Sequence, residues 1–289
     1  MIIAPLLLAL QVGTLPVQSI NPDRSRTSVP AAGAVRRGTP ATAANPVARV
    51  IVDAGHGGPD VGGPVESGSG VHEKDITLQV ALKLGQELRA RGIDVVYTRT
   101  RDTLIALADR GKIANQSGGD LFISIHVNAA NPNWREPTAA RGFETYFLAE
   151  AKTEDAERVQ DMENESVKFE AAGDVASDDP LSFILSDMQQ NEHLRESADL
   201  AEVIQRKLGT VHPGPSRGVK QAGFKVLVTA FMPAVLVEIG FGTNAAEARY
   251  LETPSNQKVL AHAIADATTE YLGRYQRRVG GGGADGAHD

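Results

Sequence analysis

Three apolar runs in this chain each end in a side chain that an apolar strand normally avoids. Val50-Ile51-Val52 runs into Asp53-Ala54-Gly55-His56-Gly57-Gly58. Asp120 to His126 (DLFISIH) ends in a histidine, and Met232 to Gly240 (MPAVLVEIG) carries Glu238 just before its glycine. Short β-branched runs bounded by glycine read as buried strands that enter tight loops. A carboxylate in such a strand is costly unless it is paired, hydrogen-bonded or bound to a metal. Open α/β sheets collect their ligands at the carboxyl ends of the strands. The three runs therefore point to a sheet whose strand ends share one crevice.

The segments between them support that architecture. Asp75 to Arg91 places Ile76, Val80, Leu84 and Leu88 on one helical face, with Gly92 as the stop. Ile93 to Thr98 reads as a strand, Leu104 to Gln116 as a helix, and Gly142 to Leu148 as another strand. Asp179 as N-cap and Pro180 at the first helical position open a long helix that runs to Gly209. It carries Leu181, Ile184, Leu185, Met188, Leu194, Ala201, Ile204 and Leu208. Ser255 to Tyr275 closes the fold as a helix with Val259, Ala263, Ala267 and Tyr271 on one face. Alternating strands and helices predict an α/β protein: a twisted, largely parallel mixed sheet flanked by helices on both faces, in a single catalytic domain over 47–276.

Composition removes several alternatives. The chain has 289 residues and no cysteine, so disulfides and thiolate metal sites are excluded. Any metal must be held by histidine and carboxylate. The net charge of −7 comes with no basic stripe, which argues against nucleic acid as a partner. The apolar run Met1 to Leu10 lacks a basic start and is too short to span a bilayer, and residues 1–20 read as a signal peptide. Residues 21–46, rich in Pro, Ala, Thr, Ser and Arg, read as a disordered linker, and 277–289 as a disordered tail.

Glu73 lies seventeen residues after His56, at the start of a helix, and can face the same crevice. Two histidines, a glutamate and an open position make a catalytic zinc site, and a further glutamate nearby can act as general base. Spacing alone leaves open which glutamate does which, and His72 is an alternative ligand beside Glu73. Asp53 and Asn128 flank the candidate ligands and either orient them or serve their turns. Asp60 and Glu66 read as solvated residues of a glycine-rich loop. His193 reads as solvent-facing, His262 as a helix-packing residue, and His212 as either structural or substrate-contacting; His288 has no expected role.

Taken together, DAGHGG, HEKD, SIHVN and MPAVLVEIGFGTN resemble the zinc-dependent N-acetylmuramoyl-L-alanine amidases of the cell-division and spore-cortex type. The resemblance spans about Val47 to Tyr275. It implies zinc held by His56, Glu73 and His126, with Glu238 as the catalytic glutamate. The family's acidic ligand precedes a lysine, which selects Glu73 over His72. Ala54 stands where the family usually has proline. The implied substrate is peptidoglycan, cut between N-acetylmuramic acid and the L-alanine of the stem peptide by a secreted or periplasmic enzyme of the cell envelope. The rival readings are a zinc peptidase acting within the stem peptide and a non-catalytic wall-binding module.

One segment stands apart in charge. Glu150 to Asp179 holds eleven acidic residues against three basic ones. With the helix that follows, 150–209 reads as an acidic, helical insertion. It is a solvated surface helix by composition alone. In some division-type amidases a helix here covers the site and puts a glutamate on the zinc. By that resemblance Glu163, with Glu165 second, is an autoinhibitory residue, and an activator protein that displaces the helix is the implied partner.

Overall fold

The computed structural model describes residues 47–170 and 180–281. The expected signal peptide, linker and Asp179 cap lie outside these residues, as does the end of the tail. The apolar positions 181–188 lie outside the described side chains.

Six strands form one mixed sheet. They are β1 (Arg49–Ala54), β2 (Asp94–Tyr97), β3 (Leu121–Asn128), β4 (Phe143–Leu148), β5 (Ser216–Ala222) and β6 (Ala234–Phe241). Their order across the sheet is β2-β1-β3-β6-β4-β5. The pairs β1/β2, β1/β3, β3/β6 and β4/β5 are parallel, and β4 runs antiparallel to β6. The helices are α1 (Glu73–Ala90), α2 (Leu107–Gln116), α3 (Glu154–Asn164), α4 (Pro180–Leu208), α5 (Lys225–Val228), α6 (Ala245–Glu252) and α7 (Pro254–Gly281).

Alternation along the strands separates two cores. Val50, Val52 and Ala54 of β1 face the layer of α1, α4 and α7, together with Leu84, Ile204 and Ile264. Ile51 faces the opposite layer with Leu107, Val159 and Leu227 of α2, α3 and α5. Central strands β3 and β6 are buried along their whole length, as expected for strands covered on both faces.

The structure departs from the sequence reading in places. Strand β5 was not anticipated: SRGVKQA is polar and glycine-bearing because it forms an edge of the sheet and only Ala222 is buried. Helix α2 begins three residues later than expected, at Leu107. Helix α7 extends to Gly281, into the stretch read as tail, and Arg278 there pairs with Glu196 and Asp199. Val259 is 42% exposed, so the buried stripe of α7 runs through Leu260, Ile264, Ala267 and Tyr271 instead. Among the described residues no helix is long and apolar enough to cross a membrane.

Candidate active site

The chain leaves β1 through a loop whose conformation is imposed on it. His56 has φ 59°, the left-handed region, which costs a residue with a Cβ about 1–3 kcal/mol. Two buried arginines hold it there. Arg110 donates to the carbonyls of Ala54 (2.7 Å) and His56 (3.0 Å), and Arg99 to those of Ala54 (2.9 Å) and Gly55 (2.8 Å). Asp53 accepts from Arg110 at 2.9 Å and from the hydroxyls of Thr98 and Ser124 at 2.5 and 2.6 Å. Asp53 thus acts on the loop backbone through Arg110. Burial works to raise its pKa, but Arg110 and the two hydroxyls hold it below the usual carboxylate range. A side chain at Gly55 would collide with the His126 ring, and one at Gly57 with the Thr103 carbonyl.

Beyond this loop four donors converge. One ligand atom from each of His56, Glu73, His126 and Glu163 lies within 4.8 Å of all the others, and all four residues are buried. His56 Nε2 is 3.2 Å from Glu73 Oε1 and 3.1 Å from Glu163 Oε2. His126 Nδ1 is 3.5 Å and 2.7 Å from the same two oxygens. Despite that proximity, His56 Nε2, His126 Nδ1 and Glu163 Oε2 make no hydrogen bond. Ligand atoms of two histidines and two carboxylates gathered this closely form a group suited to holding a single cation. Glu73 is fixed from its other side: its carboxylate accepts from the amides of Gly63 (2.6 Å) and Val127 (2.8 Å).

The electrostatics agree. Burial works to lower the pKa of both histidines, yet Glu73 and Glu163 lift His56 well above its ordinary value. Glu163 and Glu73 lift His126 to about 10. Such a negative potential at the two nitrogens draws in positive charge, whether a proton or a metal ion.

Asp60 corrects the sequence reading. It is buried rather than solvated, and its carboxylate lies 2.9 Å from His56 Nδ1. It also accepts from Ser166 Oγ at 2.7 Å. Burial opposes ionisation, but His56 outweighs it and holds Asp60 at about 2. With Nδ1 paired to a carboxylate, Nε2 is left as the donor atom.

Strand register adds a second feature. His126 of β3 pairs with Glu238 of β6, and Glu238 pairs with Glu144 of β4. The three side chains form one row across adjacent strands, about 4.8 Å apart. His126 and Glu238 lie inside their strands rather than at the termini. Glu238 is fully buried and neither carboxylate oxygen has a hydrogen-bond partner. Burial first, and Glu163 second, raise its pKa well above the carboxylate range. Glu144 is buried but fully engaged. It accepts from Asn128 Nδ2 (2.6 Å) and Tyr146 Oη (2.8 Å), and pairs with Lys220 (2.6 Å) and Arg217 (3.0 Å). Asn128 therefore supports Glu144 rather than a donor of the cluster. Glu144 was not singled out from sequence, although a carboxylate inside GFETYFL is the same signal that marked Glu238.

Glu163 comes from α3, whose inner face buries Ala156, Val159 and Glu163. Glu165 points away, 67% exposed, and pairs with Lys168. An open cleft of about 1240 Å³ is lined by Glu157 and Asp161 of α3, by Glu165, and by Pro64, Ala129 and Arg249. His72 is half-exposed at the start of α1, outside the cluster. His212 is structural, with Nε2 3.1 Å from the Ile239 carbonyl and Nδ1 accepting from Gly214. His262 is exposed and pairs with Glu87 and Asp266, in place of the packing role expected for it. His193 is half-buried.

Similarity to known proteins converges on the same part of the chain. The family described as N-acetylmuramoyl-L-alanine amidase (Amidase_3) matches residues 50–270. The N-acetylmuramoyl-L-alanine amidase AmiA of Escherichia coli is 37% identical over 225 residues, 77% of this chain and 75% of that protein. The crystal structure of an N-acetylmuramoyl-L-alanine amidase from Clostridium difficile 630 superposes with a TM-score of 0.59 at 30% identity, covering 78% of this chain and 97% of that one. The CwlD amidase from Clostridioides difficile, solved in complex with the GerS lipoprotein, gives a TM-score of 0.57 at 25% identity over 78% and 99% of the two chains.

Proposed function

This chain belongs to the N-acetylmuramoyl-L-alanine amidase family, and on that premise we infer that it hydrolyses the amide between N-acetylmuramic acid and the L-alanine of the peptidoglycan stem, using zinc. The observation that carries the zinc reading is the set of four donors within 4.8 Å, three of whose inward atoms have no hydrogen bond. His56 Nε2, Glu73 and His126 Nδ1 would hold the ion. Bound there, zinc supplies Lewis acidity toward the scissile carbonyl and toward water. Asp60 keeps the His56 proton on Nδ1 and so keeps Nε2 available.

Glu238 is the base in this reading. It sits one strand from His126, is shielded from solvent, and has both oxygens free of other partners. A carboxylate so placed takes a proton from the attacking water and returns it to the departing alanyl nitrogen.

Glu163 then has an inhibitory part. It occupies the cluster with a carboxylate that substrate must displace, and α3 places it there. Besides Ala156, Val159 and Met162, which α3 packs into the core, the helix is held by polar contacts: Asp155 to Lys220 (3.1 Å), Asn164 to the Gly223 carbonyl (3.2 Å), and the Lys225 amide to Asn164 (2.8 Å). Glu165 has no such part. The complex of the related CwlD amidase with a lipoprotein supports an activator protein as partner, and its role would be to draw α3 away. The cell envelope, where peptidoglycan lies, is the corresponding location.

Mass spectrometry of digested sacculi tests the reaction. Free, full-length stem peptides with intact glycan strands are the expected products. Shortened stems would make the protein a peptidase, and a metal-loaded, α3-deleted chain that releases nothing would make it a binding module.

A further inference from the structure

Helix α3 brings a second carboxylate to the site, and its partners exceed what the fold needs. Two cations, Arg217 and Lys220 of β5, sit on the one buried carboxylate of Glu144, at 3.0 and 2.6 Å. Both are partly exposed, 26% and 20% for the side chains, whereas Glu144 is completely buried. Asp155 of α3 supplies the second negative charge, 3.2 Å from Arg217 and 3.1 Å from Lys220. When α3 leaves, Asp155 leaves with it, and one positive charge is left uncompensated beside the catalytic row. The pair then faces solvent with one positive charge not offset by Glu144, a position that another carboxylate can neutralise.

The pair lies beside Glu144, on the side of Glu238 away from His126. Glu144 lies one strand beyond Glu238, a step of about 4.8 Å. An extended peptide advances at most about 3.3–3.6 Å per residue, so a stem peptide laid along this row would bring its first or second residue to these cations. Arg217 also stacks over the Phe241 ring at 4.9 Å, which fixes its guanidinium next to the strand that carries Glu238. We propose that Arg217 and Lys220 form the subsite for a backbone-level carboxylate of the stem peptide, and that Asp155 is its tethered stand-in while α3 is docked. This rests on the amidase reading above. Helix α3 thus blocks two positions at once: Glu163 takes the cation site and Asp155 the peptide site. Tethering gives each carboxylate a high effective concentration against free substrate.

The test uses the zinc-loaded full chain carrying Glu163→Ala and Asp155→Asn, so that both positions are open. The probes are the tripeptide L-Ala-γ-D-Glu-L-Lys and the same peptide with the glutamate α-carboxylate converted to an amide. Binding is read from the fluorescence of Trp134, the single tryptophan, whose ring lies 5.9 Å from the Arg217 guanidinium. The free carboxylate should bind about ten-fold or more tighter than the amide. Arg217→Gln or, independently, Lys220→Gln should erase the difference while leaving amide binding in place. Equal affinity for the two peptides, or an equal loss for both in each variant, overturns the proposal. Turnover of the matching muramoyl-tripeptides is measured alongside. Carboxylate-selective binding without any turnover counts against the amidase reading alone. Turnover without carboxylate preference counts against the subsite alone.

Discussion

Two regions supply carboxylates to the same cluster, and they are built differently. Glu73 stands at the start of α1, fully buried, with one oxygen fixed by the Gly63 amide and the other by that of Val127. Its neighbour His56 is held by a loop that Arg99 and Arg110 stitch to β1. Glu163 is nearly as buried, yet α3 rests on the sheet through Ala156, Val159 and the partly buried Met162 and through ion pairs and amide contacts at its edge. Apolar burial contributes roughly 1.5–3 kcal/mol for each large side chain, whereas partly exposed ion pairs contribute about 0–1 kcal/mol. On the proposed reading, the same donor chemistry is anchored firmly on one side and removably on the other. Local opening draws on segments with few buried apolar contacts, which is where a regulatory part belongs.

The largest effects should come from the anchored side. His126→Ala removes a donor with no substitute, and both bound zinc and wall hydrolysis should fall to background, with zinc measured by elemental analysis. Glu163→Ala should retain about one zinc per chain. Full zinc in the His126 variant would erase the distinction between the two regions.

Glu238→Gln should keep zinc and fold and lose about 10²-fold or more in kcat, the range for removing an acid–base group. Near-normal turnover on muropeptides would place the base elsewhere.

Asp60→Ala leaves His56 without its orienting carboxylate. Zinc affinity should drop by about 10–100-fold, as for other groups that support a metal-bound histidine, measurable by competition with a chromogenic chelator. An unchanged affinity would reduce Asp60 to a loop contact.

Deleting 153–177, or Glu163→Ala, should raise basal activity on purified sacculi several-fold, while the corresponding change at Glu165 leaves it as it was. If neither α3 change moves activity, the helix is a surface element only.

The smallest effect is a pH difference. Burial works to raise the pKa of Asp155, but Lys220 and Arg158 overcome it and hold the carboxyl below its ordinary value. A depressed folded pKa contributes stability that is present above the unfolded value of about 3.9 and is lost as pH falls through the folded value. Hydrogen exchange across α3 should therefore accelerate relative to α1 as pH drops below the ordinary carboxylate range, once corrected for intrinsic rates. Parallel behaviour of the two helices would show that Asp155 does not distinguish them.

Much of this molecule was legible in the chain itself. The β-branched runs around Ile51, Ile123 and Val237 determine buried strands, because few other environments accept such continuous apolar sequence. The histidines and the glutamate embedded in them determine that the sheet carries chemistry, since their desolvation must be compensated. What sequence left undetermined lies where tertiary contact sets the environment. Asp60 and Glu66 occur in the same glycine-rich loop and look alike as letters. Only the approach of His56 and Ser166 makes the first a buried partner, while the second stays in solvent. β5 is polar enough to pass for a loop and is a strand because β4 offers it an edge. Glu163 and Glu165 are two positions apart, on opposite sides of the turn that ends α3, so one side chain goes inward and the other to water. The row His126–Glu238–Glu144 joins residues far apart in the chain, and only strand order and register decide that they stand side by side.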